Sequence, residues 1–235
     1  MKLSLTAALL ALAIAAPTAS AVTKGQRALL VVSNLADQGV PKYNWLYQFL
    51  DASSVSLAQL MMSPHYARTQ ILAGSNASSA KFVNALTEAA KDNRNLAVDT
   101  FVHLHGSSGT LWFSDGAKST ETLGATLASK NIGGRLRLLY STACYGSTHA
   151  QHFVNGGFKV ASGALKVNAN SSYEYPVIMT QWGMNQKYKT AVDAGNNAAA
   201  RAMHDNAAKA AGFADANSFK TIRGNSSTRI TSSAL

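Results

Sequence analysis

AVDTFVHLHG at residues 97–106 and LRLLYSTAC at residues 136–144 are built alike. Each opens with a mostly apolar run of the length expected for a buried strand. Each then stops at a residue that can do chemistry: His105, followed by Gly106, in the first, and Cys144 in the second. Between them, Leu111 to Gly116 (LWFSDG) reads as a hairpin with an Asp115-Gly116 turn. Ser119 to Lys130 reads as a helix through Leu123 and Leu127, ended by Gly133-Gly134. That is enough chain for a right-handed crossover joining parallel neighbours. Ligands of an open parallel sheet sit beyond the carboxyl ends of its strands. The pattern therefore predicts His105 and Cys144 together at one edge.

Outward from this block the alternation continues. Residues 27–33 (RALLVVS) predict a first strand, and Trp45, Leu46, Phe49 and Leu50 share a helix face. Residues 69–73 predict a second strand ending at Gly74. Ser78 or Ser79 caps a helix whose stripe is Phe82, Leu86, Ala89 and Ala90. After Cys144, Ser147 or Thr148 starts a helix stopped by Gly156-Gly157, and residues 159–163 predict a fifth strand. Residues 165–190, with Tyr173, Tyr175, Pro176 and Trp182, read as a loop that packs aromatics. Alanine-rich residues 192–211 read as one long helix ended by Gly212, and the Ser/Thr/Asn-rich tail from Phe213 as partly irregular. The fold class is α/β, a mostly parallel sheet covered by helices. Residues 22–235 form a single domain.

The chain has 235 residues, 47% of them hydrophobic, 21 Lys+Arg against 11 Asp+Glu, a formal charge of +10, and one cysteine. Disorder is excluded by the apolar content, and a disulfide scaffold by the single thiol. Met1-Lys2, the apolar run from Leu3 to Ala16, Pro17 and Ala19-Ser20-Ala21 predict a signal peptide over 1–21, cut before Val22. Export to the periplasm or beyond follows, with no membrane-spanning segment in the exported part. The basic residues are scattered and no nucleic-acid motif accompanies them, so they read as a solvated surface without a nucleic-acid partner.

A thiolate attacks acyl carbons, and a neighbouring imidazole can take its proton and hand it to a leaving amine. Gly106 lets backbone approach a substrate closely, so its N–H and that of Cys144 are candidate donors to an oxyanion. The whole block (VHLHG at 102–106, the hairpin, LLYSTAC at 138–144, then FKVASGA at 158–164) resembles the caspase-like, or clan CD, cysteine peptidases over residues 27–165. The resemblance implies a three-layer α/β/α fold, Cys144 as nucleophile and His105 as general acid/base. It further implies an oxyanion hole from the Gly106 and Cys144 N–H groups, a peptide or protein substrate, and no cofactor. Tyr145 follows the cysteine where caspases carry Arg, and Thr142 stands where they carry Gln, so the substrate pocket is expected to differ.

Asp37, after the first strand, and Glu174, after the fifth, are the substrate-pocket candidates, and either would favour cleavage after a basic residue. Two other function classes compete. His103 and His105 alternate on one strand face, and His149 and His152 share a helix face, which could make a zinc hydrolase or metal-binding site. Alternatively, the same fold serves as a secreted binding module without catalysis.

Overall fold

The structure, a computed structural model, describes residues 21–234. The signal-peptide expectation, apart from Ala21, lies outside the described residues. In chain order the strands are β1 (Arg27–Asn34), β2 (Arg68–Ala73), β3 (Ala97–Ser107), β4 (Thr110–Phe113), β5 (Gly116–Ser119), β6 (Leu136–Ser141), β7 (Val160–Ala164) and β8 (Lys220–Gly224). The α-helices are α1 (Asn44–Leu57), α2 (Ser79–Lys91), α3 (Thr120–Ser129), α4 (Gly146–Asn155), α5 (Ser171–Gly183), α6 (Tyr188–Gly195) and α7 (Ala198–Ala210). The central sheet runs β2-β1-β3-β6-β7-β8, parallel except for β8, with the β4–β5 hairpin hanging from the end of β3.

The strand period divides the core. Ala28, Leu30 and Val32 of β1 face one apolar layer with Phe82 and Leu86 of α2, Leu127 of α3 and Phe153 of α4. Leu29 and Val31 face the other, with Ala58 and Met62 just beyond α1, Ile178, Met179 and Trp182 of α5, and Val192 of α6. Every residue of β1 and β6 is buried, as in strands of a parallel sheet covered on both faces. This is the expected α/β/α sandwich. Ser78 caps α2 by accepting from the Lys81 N–H at 3.3 Å, and Asp115 in the hairpin turn accepts from Ser79 N–H at 2.9 Å.

The carboxyl-terminal third differs from the sequence reading. Residues 165–190 are not a loop: α5 runs through Pro176, and Glu174, Tyr175, Ile178, Met179 and Trp182 form its buried helical stripe. The long helix expected over 192–211 is two helices, α6 and α7, parted at Asn196-Asn197. Asn197 caps α7 by accepting from Ala200 N–H at 3.0 Å. Asn196 reaches sideways to the backbone of Lys220, accepting from its N–H at 2.8 Å and donating to its carbonyl at 2.9 Å. The tail holds β8, the antiparallel edge of the sheet. In α1 the shared face also differs, since Trp45 and Phe49 are 69% and 60% exposed. No helix among the described residues is long and apolar enough to cross a membrane.

Candidate active site

β3 and β6 pair in parallel, with Val102 opposite Ser141, and the Thr142 N–H extends the ladder by bonding to the Val102 carbonyl at 2.9 Å. The chain leaves the sheet there. His105 ends the β3 core and pairs with Trp112 of the hairpin, while Cys144 lies between β6 and α4. Both line one cleft of about 540 Å³ at the carboxyl edge of the sheet.

The His105 ring is held on two sides. Its Nε2 lies 2.8 Å from the Leu35 carbonyl oxygen. A carbonyl only accepts, so Nε2 carries the proton and Nδ1 keeps the lone pair. Tyr47 of α1 packs edge-on, with ring centroids 4.6 Å apart. Leu35 is fixed in turn, its N–H donating to Asp51 Oδ1 at 3.2 Å; the same oxygen accepts from the Ser33 hydroxyl. Burial pushes the imidazole below its ordinary pKa, against the opposing pull of the Leu35 bond and the Asp51 charge.

Cys144 sits in a turn that the backbone strains to make. The Ala143 N–H bonds to Ser141 Oγ at 3.1 Å and the Tyr145 N–H to the Lys166 carbonyl at 2.8 Å. Tyr145 itself takes φ +56°, a left-handed conformation uncommon for a bulky side chain. Burial raises the thiol pKa, while the Asn168 N–H, 3.4 Å from Sγ, favours the thiolate and lowers it. With the thiol pushed up and the imidazole pushed down, the resting pair is neutral rather than thiolate–imidazolium. At Gly106 the two strand ends nearly touch: a Cβ there would lie 2.6 Å from the Cys144 carbonyl oxygen and 3.0 Å from Ala143 Cβ. Only glycine permits that approach.

The remaining sequence candidates fall elsewhere. Asp37 is exposed in the turn after β1 and does not line the cleft. Glu174 belongs to α5, not to a loop. It is fully buried, ion-paired with Lys220 at 2.8 Å, and accepts from Asn168 Nδ2 at 2.9 Å and the Tyr140 hydroxyl at 3.2 Å. The carboxylates behind the expected basic preference are thus absent from the cleft wall. The histidines do not converge either. His103 is buried, bonds through Nδ1 to Thr142 Oγ1 at 3.1 Å, and is held neutral by burial with its pKa lowered to about 3. His149 Nε2 donates to the Ser107 carbonyl at 2.7 Å, and His152 Nδ1 meets Thr120 Oγ1 at 2.9 Å. No group of three His, Cys, Asp or Glu side chains that could hold a metal exists among the described residues.

Four contributors escaped the sequence reading: Leu35, Asp51, Tyr47 and Asn168. Leu35 and Asn168 act through backbone atoms, for which side-chain type carries no signal. Asp51 did leave one, as the sole acid in α1 beside apolar Leu50.

No family model and no curated protein matches the chain. Among solved structures, caspase-1 from Spodoptera frugiperda superposes with a TM-score of 0.58 at 13% identity, over 93% of this chain and 94% of that one. At that identity the likeness establishes the fold: this is a caspase-like α/β/α sandwich.

Proposed function

We propose that the protein is an exported cysteine endopeptidase in which Cys144 is the nucleophile and His105 the acid/base. One observation carries the reading. The ends of two neighbouring parallel strands bring a thiol and an imidazole to the same cleft, and the Leu35 carbonyl fixes the imidazole tautomer so that Nδ1 is the base.

The chemistry follows from that arrangement. As the Cys144 sulfur bonds to the scissile carbonyl carbon, its proton passes to His105 Nδ1. The carbonyl oxygen becomes an oxyanion, for which the N–H groups of Gly106 and Cys144 are the candidate donors. The flanking N–H groups of Ala143 and Tyr145 are committed to Ser141 and Lys166. Collapse breaks the C–N bond, and the imidazolium protonates the departing amine. Water, deprotonated by the same imidazole, then releases the acyl group and restores the thiol. A neutral resting pair makes the proton transfer part of the attack, so His105 acts as a general base in the first step.

The test is covalent labelling by peptidyl acyloxymethyl ketones, read by intact mass. One adduct on Cys144 is expected, lost in Cys144→Ala and in His105→Ala. Hydrolysis that survives Cys144→Ala would sink the mechanism. A folded, unlabelled protein would instead favour a binding module on this fold.

A further inference from the structure

The cleft around the thiol has no carboxylate, ammonium or guanidinium in its described lining. Its apolar lining includes Val40, Tyr43 and Trp45 together with Ala208, Ala211 and Phe213, the two groups meeting where Tyr43 packs on Phe213 and donates to the Ala211 carbonyl. Among the described residues, none lining it is Asp, Glu, Lys or Arg. A smaller cavity of about 110 Å³ adjoins it, sharing Leu35, Leu50, Thr142, Ser171 and Ser172, and among the described residues it too has no Asp, Glu, Lys or Arg in its lining. Whichever space receives the side chain before the scissile bond, that side chain therefore meets a lining of apolar, hydroxyl, amide and imidazole groups without a carboxylate, ammonium or guanidinium. The ionic groups nearby stand outside the lining: Glu174 and Lys220 neutralise each other in the interior, Asp215 is an exposed carboxylate that accepts from the Tyr145 hydroxyl, and Lys166 lies over the Tyr145 ring.

We infer that the substrate residue preceding the scissile bond is apolar and uncharged, aliphatic or aromatic; this deepens the peptidase reading and rests on it. A guanidinium or carboxylate entering either cavity loses hydration with no opposite charge to replace it. An apolar side chain instead removes its own surface and that of the cleft from water. Trp45 at 69% and Val40 at 43% exposure leave uncovered apolar surface at the cleft, as a mostly apolar binding site does before its ligand arrives.

The experiment compares acyloxymethyl ketones identical but for Leu, Phe, Arg or Asp at the terminal position, measuring the rate of Cys144 modification. Leu or Phe should react at least about tenfold faster than Arg or Asp. A faster Arg or Asp compound overturns the inference and leaves the dyad standing. Absence of any adduct brings down the dyad, and the inference is then decided by binding alone. For that, Cys144→Ala protein is titrated with short peptide amides containing Phe or Arg, followed by the fluorescence of Trp45 and Trp112 in the cleft. Tighter or equal binding of the Arg peptide overturns the inference there. A further arm uses Ala208→Glu, which sets a carboxylate on the wall and should raise the Arg-to-Leu rate ratio about tenfold. An unchanged ratio would remove that wall from the substrate path and count against the inference.

Discussion

Leu35 holds the His105 tautomer, and Asp51 holds Leu35, so a side chain that touches no substrate tunes the base. Asp51→Asn keeps an acceptor for the Leu35 N–H and removes only the charge. That charge raises the imidazole pKa against the larger depression by burial. The sign follows directly. Activity needs His105 unprotonated, and burial has moved its titration below about pH 6.5, so the acid limb of kcat/KM should lie below that value. The alkaline limb, set by a thiol that burial raises, should lie above about pH 8.5. In Asp51→Asn the acid limb should move to still lower pH with the plateau nearly unchanged. Asp51→Leu also strips the acceptor from the Leu35 N–H and should lower kcat about tenfold with little change in KM, a loss near 1.4 kcal/mol. An acid limb that stays put in the Asn variant would break the electrostatic link.

The element that aims Cys144 is α4, and its start is held by a backbone contact. A Cβ on Gly163 of β7 would lie 2.2 Å from the Gly146 carbonyl carbon. Gly163→Ala must therefore push the first turn of α4 away from the sheet, at a cost of about 1–3 kcal/mol, and carry Cys144 with it. Gly124→Ala in α3, whose Cβ would lie 2.3 Å from the His152 carbonyl oxygen, is the matched control at the middle of α4. Both should lower Tm, but only Gly163→Ala should slow Cys144 labelling in protein that is still folded. Equal slowing in the two would remove β7 as the anchor of the nucleophile. The strands that carry this geometry were legible because 27–33, 97–104 and 136–141 are predominantly apolar runs, interrupted only by single polar or charged positions, that lead into polar or small residues. β8 was not legible: Lys220-Thr-Ile-Arg-Gly has one apolar residue, and its lysine is buried only because Glu174 waits for it across the fold. The same is true of α5, where Pro176 masks a stripe at helical spacing, and of the α6–α7 break, where Asn196 is engaged by β8. Local pattern reads elements that bury their own faces; these three depend on partners distant in sequence.

Across the whole molecule, the two ends of β3 do different work. His105 faces the cleft, while Asp99, six residues earlier and about 20 Å away along the strand, lies in the interior. Asp99 takes a two-pronged contact from Arg137 of β6, Nε to Oδ1 at 2.8 Å and Nη2 to Oδ2 at 2.6 Å, and also accepts from Tyr66 and from Trp182 Nε1 at 3.2 Å. Arg137 also donates to the Ile230 carbonyl and, at 2.9 Å, to that of Ser232. One ion pair thus joins the middle strands, α5 and the tail at the base of the sheet. Arg137→Met would leave the Asp99 carboxylate buried without its cation, costing about 3–5 kcal/mol. Adding Asp99→Leu removes the stranded charge and should recover part of that loss in urea unfolding at pH 7. It should not recover all of it, because the Tyr66 hydroxyl loses its acceptor and two tail carbonyls lose the Arg137 donor, at about 1–3 kcal/mol for each group left unsatisfied, while the Trp182 N–H keeps the Tyr66 hydroxyl at 3.1 Å. Folded molecules of the double variant should still label at Cys144 at the parent rate, since the cleft lies at the opposite end of the strand. A double variant no more stable than Arg137→Met would mean that the hydrogen bonds to the tail, not the charge pairing, hold the base of the sheet together.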